Sequence, residues 1–132
     1  MQEIISIMMS WAVTLTGYPA PVTFPEVRMV PHSYLVEHAC RGFKCHVQGW
    51  YPPGNTIYLD DKLDPQNGLY ASSVLLHELV HFLQKESGRT SMHYDCQADV
   101  EAEREAYQAQ REYLLRYGVY RPVGSNMHNI SC

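Results

Sequence analysis

The 132-residue chain has no concentration of positive charge. Its ten Lys and Arg are scattered against fourteen Asp and Glu, for a formal net charge of -4. A nucleic-acid binder usually carries a clustered basic face, so that class of partner is not expected. No apolar run approaches the ~20 residues that span a bilayer, so no membrane span is expected either. Internal repeats, low-complexity segments and Pro/Gly/Ser linkers are absent, which favours one domain over residues 1–132. The opening MQEIISIMMSWAVTL is apolar but has neither a positive n-region nor a clear small-residue cleavage site. It reads as an amphipathic helix of the mature fold, any export leader having already been removed. Oligomeric state is not legible.

Cysteine is scarce but even in number: Cys40, Cys45, Cys96 and Cys132. Four allow three full disulfide pairings, whereas C-x4-C without a second close pair does not suit a zinc ribbon. Disulfides favour an extracytoplasmic setting, periplasmic or secreted. A bridge from Cys96 to Cys40 or Cys45 would tie the C-terminal helix to the region of the hairpin, with Cys132 left free at the end of the tail.

The remaining pattern is α+β. Ile4, Ile5, Met8, Trp11, Ala12 and Leu15 recur at helical spacing over residues 2–16, with Gly17 and Pro19 as stop signals. Four prolines bracket a short strand over Glu26–Val30, and residues 33–40 suggest a short helix. CHVQGWY, PPGN and TIYLDD make a hairpin around a turn rich in Pro, Gly and Asn. Helices are predicted over Leu69–Glu86 and Gln97–Tyr117, each closed by glycine, joined by the polar RTSMHYDC. Residues 119–132 show no periodicity and are expected to be a loose tail. The strands would form a small antiparallel or mixed sheet.

One stretch carries chemistry. In SSVLLHELVHFLQKESG, His77 and His81 are four residues apart, so their imidazoles stand one turn apart on one helical face. Glu78 points to the side of that pair, where it can reach a water on a metal without ligating the metal. This is H-E-x-x-H, found on the helix of zinc hydrolases. Zinc held by three protein ligands keeps a position for water and lowers its pKa towards about 7, and a carboxylate can take the proton. Chance would produce the motif in about 2% of shuffled versions of this composition. Two histidines and a glutamate inside an apolar helix nevertheless need partners.

A third ligand has to come from elsewhere, because FLQKESGRTS after His81 contains no histidine at the metzincin spacing. His93 lies in a polar loop and reads better as solvated. The C-terminal helix offers Asp99, Glu101, Glu103, Glu105 and Glu112. Ala98, Ala102, Ala106, Ala109 and Tyr113 form its small-residue stripe, the face able to approach another helix closely. At about 100° per residue, Glu105 lies nearest the middle of that stripe. Glu105 is therefore the expected third ligand of one zinc per chain, Glu101 one turn earlier is the alternative, and Glu103 and Glu112 fit less well. Arg104, Arg111 and Arg116 would balance the remaining acids.

His77-Glu78-Leu79-Val80-His81 followed by Glu105-Ala106-Tyr107, within HELVHFLQ and EREAYQAQ, resembles the gluzincins, zinc metallopeptidases with two histidines and a glutamate that is followed by alanine. Within that class it is similar to small bacterial zincin-like proteins of unknown function, with the patterns HELVH-x-x-Q and E-x-E-A-Y-x-x-Q. SWAVTLTGYPAPVTFPEV and TIYLDD add to the likeness, which covers most of residues 10–118. The resemblance implies a minimal zincin-like domain, a small sheet and hairpin packed on the H-E-x-x-H helix. It also places TIYLDD beside the metal as an edge to which an extended peptide could add. Larger gluzincins carry an acidic residue one turn after the ligand Glu to support a ligand His. Here that position is Ala109, so another residue such as Asp99 would have to serve.

The expected activity is hydrolysis of a peptide or an exposed protein loop. His77, His81 and Glu105 would hold zinc, and Glu78 would be the catalytic base. The contrasting reading is a zinc-binding interaction module with little or no catalysis. His93, Tyr94, Tyr107, Tyr113, Tyr117 and His128 are candidates for stabilising an oxyanion. Trp50 and Tyr51 either line a groove or belong to the sheet.

Overall fold

An amphipathic helix, α1 (Gln2–Thr16), opens the computed structural model, which describes residues 1–89 and 95–132. Ile5, Met8, Met9 and Ala12 form its buried stripe, and Gly17 closes it in the left-handed region at φ 80°. β1 (Glu26–Val30) and α2 (His32–His38) follow, then β2 (Gly49–Trp50) and β3 (Thr56–Asp60). α3 (Leu69–Glu86) and α4 (Cys96–Arg116) complete the regular elements, and a 3-10 turn spans Ser125–Asn129. The fold is α+β, and among the described residues no helix is long and apolar enough to cross a membrane.

The three-stranded sheet is mixed, in the order β1-β3-β2. β1 and β3 run parallel, and β2 pairs antiparallel with β3, Gly49 opposite Leu59 and Trp50 opposite Tyr58. Alternation along β3 turns Ile57 and Leu59 into the core, where both are fully buried. Tyr58 faces the other way and stacks on Tyr34 of α2, ring centres 5.3 Å apart. TIYLDD is thus the central strand, not the edge that the resemblance implied. The edge beside α3 is β2, kept short and followed by Pro52 and Pro53, which cannot donate to a ladder.

α3 is the central helix. Thirteen of its eighteen residues are buried, because α1, α4 and the sheet all pack against it. One cluster joins Met8, Met9, Ile57, Leu59, Leu75, Leu76, Leu79, Phe82, Ala106, Ala109 and Leu114. The alanine stripe of α4 meets α3 as its spacing predicts, Ala102, Ala106 and Ala109 being buried. Asp95 caps α4 by accepting from the Ala98 amide.

Two expectations about the C-terminal end need correction. The disulfides are Cys40–Cys45 and Cys96–Cys132, so Cys132 is not free and no bridge joins α4 to the hairpin. Residues 119–132, expected as a loose tail, are tied down at three carbonyls and at the final cysteine. Arg104 donates to the carbonyls of Met127 and Ile130, both at 3.1 Å, and Arg111 to that of Val123 at 2.9 Å. Met127 is buried. A segment without side-chain periodicity is held here by its backbone carbonyls and a covalent tie. Of the arginines assigned to balancing acids, these two hold the tail, and Arg116 lies over the Trp11 ring.

Candidate metal centre

A cleft of about 920 Å³ runs along α3. Residues 46–53 form one wall, following α3 from Gln48, which accepts from Tyr70, to Tyr51, whose ring packs on Phe82. α4 forms the other wall with Asp99, Ala102, Glu103, Tyr107 and Gln110, and Val123 and Gly124 of the tail extend it. Trp50, which ends β2, and Tyr51, just after it, are both half-buried and part of this wall.

His77, Glu78 and His81 all line the cleft. The two imidazole Nε2 atoms lie 3.3 Å apart, and Glu103 Oε1 lies 3.2 Å from that of His77 and closer still to that of His81. One ligand atom from each of His77, His81 and Glu103 therefore falls within 4.8 Å of the others, a set able to hold a metal ion.

The third member is Glu103, not the expected Glu105. Periodicity puts the two on opposite flanks of the alanine stripe, Glu105 nearer its centre and Glu103 further out. It cannot tell which flank faces the cleft, because the hand of the α3–α4 packing decides that. Asp99, Glu103, Tyr107 and Gln110 share the cleft flank. Glu105 is on the other, where Tyr18 O–H and the Gln84 side-chain amide donate to it at 2.7 and 2.9 Å. Glu101 is exposed and accepts from Gln97. Asp99 lines the cleft without a hydrogen bond to His77 or His81 among the described residues.

Two glutamines fix the imidazoles. Gln110 Oε1 faces His77 Nδ1 at 3.1 Å, and Gln84 Oε1 faces His81 Nδ1 at 2.8 Å. Neither amide can be turned round. The Gln84 NH2 is committed to the Ala102 carbonyl at 2.9 Å, and the Gln110 NH2 to Ser73 Oγ, whose own proton goes to the Tyr70 carbonyl. Both amide oxygens accept, so both Nδ1 atoms donate, and both Nε2 atoms present lone pairs to one point beside a carboxylate. With both imidazoles neutral, the cluster presents three convergent acceptors, a donor set of the kind that can hold a divalent cation.

Without metal, a proton between His81 and Glu103 takes the same place. Burial opposes charge on His81, but the hydrogen bond to Glu103 and the charges of Glu78 and Glu103 outweigh it, and without metal its pKa is pushed up to about 9. Burial would raise Glu103 too, yet hydrogen bonds from His77 and His81 hold it far below the usual carboxylate range. Burial raises Glu78, against the pull of the two histidines.

Of the oxyanion candidates, Tyr107 lines the cleft, its ring edge-on to that of His77 at 4.4 Å. Tyr113 is buried in a hydrogen bond with Ser72, Tyr117 packs on Trp11, and His128 is exposed on the tail. His93 and Tyr94 lie outside the described residues, as does most of the RTSMHYDC connection. Sequence reasoning gave no role to Gln84, Gln110 or Gly49. The two glutamines close the HELVH-x-x-Q and E-x-E-A-Y-x-x-Q patterns, three residues after His81 and three after Tyr107. That shared spacing was the available signal.

Fold and cluster together define an α+β domain built round two histidines and a glutamate that could hold a metal ion. The model of a family described as a domain of unknown function, DUF6647, matches residues 1–126, and the chain belongs to that family. It matches no curated protein and no solved structure.

Proposed function

We propose that this chain is a zinc-dependent hydrolase, a small metallopeptidase that cleaves peptide bonds. The observation that carries the reading is the convergence of His77 Nε2, His81 Nε2 and Glu103 Oε1 at an open cleft that Glu78 also lines. His77, His81 and Glu103 would hold the ion. Zinc there would supply Lewis acidity towards a carbonyl oxygen and a water of lowered pKa. Glu78 takes a proton from water and returns it to the departing amine, and its burial-raised pKa brings it nearer the range a general base needs. Tyr107 offers a hydroxyl donor on the α4 wall. The cleft suits a few residues of extended peptide rather than a folded protein. Both disulfides, which use all four cysteines, support work in an oxidising, extracytoplasmic compartment.

Metal content of protein purified without added metal, beside Glu103→Ala, tests the site. Near one zinc per wild-type chain and little in the variant is expected. A peptide-library screen with Glu78→Gln as control then tests the chemistry, cleavage being expected of the wild type alone. Absence of zinc from the wild type even after zinc is offered overturns the reading. So does cleavage that survives Glu78→Gln.

A further inference from the structure

Glu105 misses the cleft by one helix flank, yet it is tied to the metal cluster through a single side chain. Gln84 is fully buried. One proton of its NH2 goes to the Ala102 carbonyl and the other to Glu105 Oε1, both at 2.9 Å. Its amide oxygen is then left to accept from His81 Nδ1 at 2.8 Å. Glu105 is itself held from the far side. Tyr18, just past the end of α1, donates its hydroxyl proton at 2.7 Å, and Arg89, just past the end of α3, approaches Oε2 at 3.7 Å while donating to the Tyr18 hydroxyl. Three elements thus meet on a carboxylate that touches no metal-ligating atom.

We infer that Glu105 is a positioning residue of the metal centre, acting on His81 through the Gln84 amide. The inference rests on the metal reading above. A negative charge at the NH2 end of an amide increases the electron density on its oxygen, because hydrogen bonds in series polarise one another. The Gln84 oxygen then holds the His81 Nδ1 proton more firmly, and Nε2 becomes the better donor to a cation. Among the described residues His77 has no such support. Its partner Gln110 is backed by the neutral hydroxyl of Ser73. The two ligand histidines are therefore electronically unequal, and the acid that supports one of them stands behind an amide instead of touching the ring.

The test compares wild type, Glu105→Gln, Glu105→Ala, Gln84→Ala and the Gln84→Ala/Glu105→Ala pair. Zinc affinity is measured by competition with a chromophoric chelator, and folding is checked by thermal melting. Glu105→Ala and Gln84→Ala should each weaken zinc about 10- to 100-fold, the usual range for groups that orient a ligand. The double variant should bind no more weakly than Gln84→Ala, since the route is already cut. Glu105→Gln keeps an acceptor for Gln84 but removes the charge. It should shift the His81 Nδ1 proton resonance and leave that of His77 in place, which a merely structural role would not do. Losses that add in full, wild-type affinity in Glu105→Ala, or an unmoved His81 resonance overturn the inference. Failure of the metal reading looks different: the wild type itself then takes up no zinc.

Discussion

Gly49 and Glu78 are packed so closely that a side chain at position 49 would meet the carboxylate. A β-carbon there would lie 2.9 Å from Glu78 Oε2 and 3.0 Å from its Cγ. The glycine provides space rather than backbone freedom, since its φ is not positive. β2 can therefore lie against α3 at the point where Glu78 turns into the cleft. Gly49→Ala should displace Glu78 and leave the three metal ligands in place. Zinc content should stay at the wild-type level, and kcat for a cleaved peptide should fall about 10- to 100-fold, the scale of a misplacement near 1 Å. Undiminished kcat would show that the Glu78 position is not set by β2.

Tyr107 stands in a similar relation to the tail. A β-carbon on Gly124 would come within 2.3 Å of Tyr107 Cγ, and Gly124 also holds φ at 75°. Gly124→Ala is thus strained twice, and it should push the tail off α4 or turn Tyr107 away from His77. Either outcome should raise KM for peptide substrates and lower the melting temperature by several degrees, while zinc is retained. Unchanged melting and kinetics would mean that the tail and the cleft are independent.

Much of this architecture was legible because the signals are local. The apolar spacing of Ile5, Met8 and Ala12, the prolines that bracket Glu26–Val30 and the glycine after each long helix yield the observed bounds of α1, β1 and α3 without shift. His77, Glu78 and His81 were legible for the same reason, since one helix fixes their relative geometry. What failed depends on the relation between elements. Glu103 and Glu105 lie on opposite flanks of the alanine stripe, and the hand of packing between α3 and α4 turns the flank of Glu103, the further from its centre, to the cleft. The disulfide partner of Cys96 depended on a tail whose anchors are backbone carbonyls, which leave no trace in side-chain pattern. TIYLDD could not be recognised as a central strand until β1 was seen to pair along its far side.

The pKa shifts in the cluster give the metal-free chain a defined pH response. His81 is raised from 6.5 to about 9, so its contribution to stability is complete below about pH 6.5 and is lost as pH rises through about 9. Glu103 is depressed from 4.5, so its contribution is present above about pH 4.5 and is lost as pH falls towards its lowered value. From this cluster alone, metal-free protein should be most stable between about pH 4.5 and 6.5. Zinc requires the same groups deprotonated, so its binding releases protons and strengthens with pH. The difference in melting temperature between zinc-loaded and metal-free protein should therefore widen from about pH 6 to about pH 9. A difference that is constant or shrinks over that range would mean that zinc and the His81–Glu103 proton do not compete for the same place.

The two disulfides should contribute unequally. Cys40–Cys45 closes a loop with a sequence separation of 5, and Cys96–Cys132 one of 36. Loop-closure entropy assigns about 2 kcal/mol to the first and about 4 kcal/mol to the second, as upper limits. Paired serine variants avoid leaving a free thiol. Cys96→Ser/Cys132→Ser should lose about twice the unfolding free energy of Cys40→Ser/Cys45→Ser in urea. The longer bridge joins the first turn of α4, about two helical turns before Glu103, to the end of the segment that seats Gly124 on Tyr107. Its removal should thus also speed amide exchange across residues 123–130, which would then be held by non-covalent contacts such as those of Arg104 and Arg111. Equal losses for the two pairs, with exchange in the tail unchanged, would show that the arginines hold this wall of the cleft without covalent help.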